Sequence, residues 1–110
     1  MSEYEMSIME MIGNAGECRC HVYAALEKAN NGSYDEATKE MELAAEALGE
    51  AHRVQTSYLS READGERIEP TILFVHAQDH LMTAISERNL IEQLIELRKL
   101  VNSLIDEKKG

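Results

Sequence analysis

A chain of 110 residues is one domain, or one subunit of a larger assembly. With 44% apolar residues, 29% charged residues, only 5% aromatic residues and a single proline, it reads as all-α. Twenty-one acidic against 11 basic residues give a formal charge of −10, which repels nucleic acid and anionic lipid and leaves basic or apolar surfaces as partners.

No apolar run reaches the ~20 residues that span a bilayer, and Met1 leads into an acidic, helix-like segment, so a cytoplasmic location is expected. The first helix reads from about Glu5 to Ala29, with Ile8, Ile12, Ala15, Val22, Leu26 and Ala29 at steps of three, four or seven. Met1, Met6, Met9 and Met11 read as soft packing at a frayed end. One residue separates Cys18 from Cys20 and places them on different helix faces, so both read as reduced packing residues. His21 beside them reads as exposed and incidental. Asn30-Asn31-Gly32 ends the helix by turn chemistry.

Ser33-Tyr34-Asp35-Glu36 has the form of a capping box and opens a second helix. Tyr34, Ala37, Met41, Ala44, Leu48, Ala51, Gln55 and Tyr58 follow an unbroken three-four alternation until Ala63-Asp64-Gly65 interrupts it. Only Gln55 breaks the apolar stripe. His52 is expected to hydrogen-bond within the bundle.

Pro70 is expected in the first turn of a third helix that meets no breaker before Gly110, giving a length on the order of 55 Å at 1.5 Å per residue. Its seam is expected along Leu73, His76, His80, Thr83, Glu87, Leu90, Leu94, Leu97, Val101 and Leu104, polar in the first half and leucine-rich in the second. A second stripe, Ile72, Val75, Asp79 and Met82, is apolar except for Asp79. Lys99, Lys108 and Lys109 suit the helix dipole.

Short connections make this an antiparallel up-down-up three-helix bundle. The second stripe of the third helix then lacks an intramolecular partner, and self-association is the simplest cover. In such a bundle His52 and Gln55 lie near the level of His76. Gly13 and Gly16, each costing ~1 kcal/mol in a helix relative to alanine, lie within a turn or two of it.

Two histidines one turn apart, with Gln78 and Asp79 between them, admit several readings. They could be seam histidines bonded to backbone or solvent, in a helical oligomerisation or adaptor module. They could chelate zinc from one helix face, with His52 as a third ligand, although Ala77 stands where the zincin motif needs glutamate. Or a neutral imidazole could accept a phosphoryl group, with the second histidine and the amide steadying its oxygens.

The run His76-Ala-Gln-Asp79-His80-Leu-Met-Thr, with Glu50-Ala-His52-x-x-Gln55-Thr56 and Ala15-Gly16-x-x-Arg19, resembles the lactose/cellobiose-type IIA component of the phosphoenolpyruvate-dependent sugar phosphotransferase system. The likeness extends over nearly the whole chain. It implies a three-helix bundle that assembles through its third helix into a homotrimer and acts as a phosphotransferase component. The resemblance implies phosphorylation of His76 by the phosphocarrier protein HPr and transfer to a cysteine of a IIB component, with the membrane IIC component an indirect partner. It places Gln78 and His80 around the phosphoryl group at the subunit boundary. It also implies that Asp79 meets its symmetry mates around one divalent metal per trimer, Mg2+ by its oxygen-only ligands. Cys18 and Cys20 stand where small or polar residues are expected of helix one, and Gly13 is an added helix weakener; none touches the motif.

Overall fold

The computed structural model describes residues 1–109. They form α1 (Glu3–Asn30), α2 (Tyr34–Ala63) and α3 (Ile72–Lys109), in a bundle 64 × 22 × 20 Å across.

Both ends of the bundle show the antiparallel order. At one, Tyr4, Tyr58 and Phe74 bring together the start of α1, the end of α2 and the start of α3, with ring centroids 5.2–6.4 Å apart. Tyr4 also donates its hydroxyl to Glu69 O at 2.6 Å. At the other, the Asn102 amide donates to Ala29 O at 3.1 Å and to the Tyr34 hydroxyl at 2.9 Å, tying α3 to the α1–α2 turn.

The helices stop where the turn residues stand. Gly32 (φ 81°) and Gly65 (φ 100°) take the left-handed conformation open to glycine, and the N–H groups of Ser33 and Glu66 donate five residues back, to Lys28 O at 2.8 Å and Arg61 O at 3.0 Å. The capping box expected at Ser33 does not form: the Ser33 side chain caps nothing, and the backbone N–H that Glu36 would have accepted from is committed to closing α1. Glu36 instead meets Lys28 Nζ at 3.4 Å. A full capping box stands at the first helix, where Ser2 Oγ accepts from Glu5 N at 3.1 Å and Glu5 accepts from Ser2 N at 3.2 Å. Pro70 lies outside α3, whose first turn is capped by Thr71 Oγ1 accepting from Phe74 N at 3.1 Å.

α1 is the central element, packed along its length against both other helices, which touch each other only sparsely. Its buried face is Ile8, Met11, Ala15, Cys18, Val22, Ala25 and Ala29, so Met11 is core and not part of a frayed end. α2 buries Ala37, Ala44, Ala47, Leu48, Ala51, Val54 and Tyr58, largely the expected stripe. α3 departs from expectation: its buried face is Ala77, Leu81, Ala84, Ile91 and Ile95, while Leu90, Leu94, Leu97, Val101 and Leu104 are exposed. The inward side carries small Ala77 and Ala84 between larger Leu81, Ile91 and Ile95, while the leucine stripe lies on the opposite side of the helix.

His21 is neither exposed nor incidental, since its Nδ1 lies 2.6 Å from Glu40 on α2 and both side chains are partly buried. Cys18 is buried and Cys20 exposed, both as free thiols. Burial pushes the Cys18 thiol above its ordinary pKa, with nearby Arg88 opposing the rise and Glu87 adding to it. A thiol reagent at pH 8 should therefore modify one cysteine per native chain, Cys20, and both after unfolding. Equal native rates at the two positions would contradict this packing.

Candidate functional site

The first half of α3 carries the polar constellation. His76 and His80 stand edge to face, with ring centroids 4.6 Å apart, and their Nε2 atoms are separated by 3.2 Å. Two neutral imidazoles at that distance share one proton, so one Nε2 donates and the other presents a lone pair. Chemical accounting on the remaining nitrogens decides which. His80 Nδ1 is buried without a hydrogen-bond partner, and an orphaned acceptor there is cheaper than an orphaned N–H. His80 therefore carries its proton on Nε2 and donates it to His76. The exposed His76 is left with an unprotonated Nε2 and its own proton on Nδ1.

Helical geometry sorts the other residues. At about 100° per residue, His76 and His80 lie roughly 60° and 100° from Asp79 on one side, and Met82 and Gln78 lie the same angles away on the other. The histidine flank faces α1: two turns past His80, Glu87 Oε1 lies 2.8 Å from Arg19 Nε, an ion contact with the N–H turned off the line. Interaction with Glu87 also raises the phenol of the exposed Tyr23 above its ordinary pKa, with burial adding to the rise and Arg19 opposing it.

The opposite flank faces α2, where Gln55 Nε2 donates to Gln78 Oε1. Gln78 thus points away from the histidines of its own chain. Between the flanks, Asp79 is exposed, with Val75 at 53% and Met82 at 56% exposure beside it. The second stripe is uncovered, as the sequence pattern required.

His52 is exposed instead of bonded within the bundle; Gln55, one turn on, is the α2 residue that hydrogen-bonds to α3 at this level. Among the described residues no three His, Cys, Asp or Glu side chains of one chain are placed to hold a metal ion, so His52 does not complete a zinc site with His76 and His80. A Cβ at Gly13 or Gly16 would meet nothing within 4 Å, so neither glycine serves close packing within the chain. The Tyr4–Tyr58–Phe74 cluster and the Arg19–Tyr23–Glu87 cluster went unread in the sequence, because their members come from different helices and share no periodicity.

Residues 6–99 match the family described as "PTS system, Lactose/Cellobiose specific IIA subunit". The chain is 41% identical over 95 residues to the lichenan-specific phosphotransferase enzyme IIA component of Bacillus subtilis (strain 168), covering 86% of each. It superimposes on the PTS cellobiose-specific enzyme IIA of Bacillus anthracis with a TM-score of 0.90, at 39% identity over 94% of both chains. A chain of the solved IIA(Chitobiose)–HPr complex of the Escherichia coli phosphotransferase system gives a TM-score of 0.77 at 37% identity, covering 93% of this chain and 99% of that one.

The tautomers are measurable. Nitrogen NMR of the imidazoles at pH 8 should show His80 protonated at Nε2 and His76 at Nδ1. The reverse pair of tautomers would overturn the assignment of the lone pair to His76.

Proposed function

This chain belongs to the lactose/cellobiose-specific IIA subunit family of the phosphotransferase system, and from that premise we propose that it is a cytoplasmic phosphocarrier whose acceptor atom is His76 Nε2. The observation that carries the reading is the His80–His76 contact, which leaves a lone pair on the more exposed ring and a donor beside it. The donor is phospho-HPr, in keeping with the solved complex of the chitobiose relative with HPr. No described helix is long and apolar enough to cross a membrane. Relatives named for lichenan, cellobiose and chitobiose share one scaffold, which fits a subunit that meets proteins and never the sugar.

In the transfer, the bond from phosphorus to HPr breaks as a bond from phosphorus to His76 Nε2 forms, in line. The His80 N–H then loses the nitrogen it was donating to and turns to a phosphoryl oxygen. Before transfer, the bond from His80 to His76 Nε2 keeps the His76 proton on Nδ1. A cysteine thiolate of a IIB component next attacks the same phosphorus and frees His76 with its lone pair restored; IIC is reached only through IIB.

The exposed leucine stripe and the stripe through Ile72, Val75 and Met82 need a cover, and a closed homotrimer through α3 supplies it identically for each copy. With Asp79 toward the three-fold axis, the His76–His80 flank of one copy meets the Met82–Gln78 flank of the next. Gln78 thereby reaches a phosphoryl group on its neighbour, which its own chain does not allow. One carboxylate per chain holds no metal, but three Asp79 carboxylates on an axis suit one hard divalent cation such as Mg2+. Such an ion would neutralise like charges at the axis; Asp79 itself moves no phosphoryl group.

His76→Gln should abolish acid-labile phosphate uptake from phospho-HPr with helix content and assembly unchanged, whereas His80→Gln should slow uptake and retain an acceptor. Equal incorporation in wild type and His76→Gln would return the protein to a non-catalytic oligomerisation module.

The chain should sediment as a trimer, and a chelator should lower its melting temperature by removing a ligand of the assembled state. Asp79→Leu should remain trimeric, ignore the chelator and still be phosphorylated. Monomers of Asp79→Leu, or a wild type indifferent to chelator from pH 5 to 8, would sink the axial metal.

A further inference from the structure

Gln55 is the single polar residue in the buried stripe of α2, between Ala51 and Tyr58, which are 0% and 5% exposed. A part-buried carboxamide there is a burden on the core unless its hydrogen bonds are made, and a leucine would continue the stripe. Its side-chain bond goes neither to backbone nor along its own helix but across to α3, from Gln55 Nε2 to Gln78 Oε1.

The direction of that bond has a chemical consequence. A glutamine amide can turn over and exchange its donor edge for its acceptor edge at little cost when both are solvated. With Oε1 of Gln78 held by Gln55, the Gln78 NH2 is the edge left for an outside group. A phosphoryl dianion is recognised by donors and repelled by a carbonyl oxygen. The partner of Gln78 on α2 therefore decides whether that flank attracts or repels the transferring group.

We propose that Gln55 is a positioning residue for phosphoryl transfer, acting only through Gln78, whose Oε1 it satisfies so that the N–H edge is free for the phosphoryl group on the neighbouring copy's His76. This rests on the phosphocarrier reading above. Gln55 itself touches no reacting atom.

The test is a kinetic double-mutant cycle with phospho-HPr as donor, on variants shown to keep wild-type helix content and assembly. Gln55→Met removes the bond at similar volume and should lower the maximal transfer rate about fivefold to tenfold, the worth of one hydrogen bond, with KM for phospho-HPr unchanged. Gln55→Glu, an acceptor only, should turn the Gln78 amide over and be slower still. In a Gln78→Leu background, neither Gln55 substitution should slow transfer further, because the group it positions is gone.

Wild-type rates in Gln55→Met, or in Gln55→Glu, would overturn the proposal. So would an undiminished Gln55→Glu deficit in the Gln78→Leu background, which would mark a charge effect not routed through the amide. A wild type that takes no phosphoryl group from phospho-HPr would instead sink the phosphocarrier reading itself.

Discussion

The bundle is governed by a mismatch of surfaces: α3 is apolar on two opposite sides, and the rest of the chain covers one of them. α1 fills the centre and takes one stripe, Ala77, Leu81, Ala84, Ile91 and Ile95. α2 and α3 barely meet, and the other apolar side of α3 stays open. A body only 22 × 20 Å in cross-section has no further layer to supply. The leucines and the stripe around Asp79 are therefore left uncovered within the chain, which is the ground for the proposed self-association.

The same geometry explains why the site is divided. Residues within a five-residue run are local in sequence but point in different directions from a helix, so His76 and His80 go to the α1 flank and Gln78 to the α2 flank. Each flank is braced by its own helix, through Arg19–Glu87 on one side and Gln55–Gln78 on the other. In a cyclic assembly opposite flanks meet. In the proposed trimer, what is scattered in one chain would converge across a subunit boundary, with Asp79 between.

Rigid ends hold the two flanks at one level. The Tyr4–Tyr58–Phe74 cluster fixes all three helices close to His76, and the Asn102 bonds to Ala29 and Tyr34 fix them at the far end. A slip of one turn, about 5.4 Å, along α2 would carry Gln55 out of reach of Gln78 and bring the shorter His52 or Leu59 toward it. The aromatic end thus protects the register on which the amide pair depends.

Much of this was legible in the sequence because it is local. The two breaks at glycines, the α2 stripe and the one-turn pairing of His76 with His80 follow from dihedral preference and the 3.6-residue period alone. The placing of Gln55 near the level of His76 followed from antiparallel order and loop length; its bond to Gln78 came from the structure. Only the tertiary structure decided which side of α3 turns inward, because the side with Ala77, Leu81, Ala84, Ile91 and Ile95 and the leucine side are both apolar and the 3.6-residue period does not rank them. It likewise decided that Met11 is core, that His21 pairs with Glu40, and that Ser2 caps a helix while Ser33 does not, since each depends on a neighbour that sequence spacing does not reveal. Periodicity fixes which residues share a face; the rotation of each helix about its axis, set by packing, decides what that face meets.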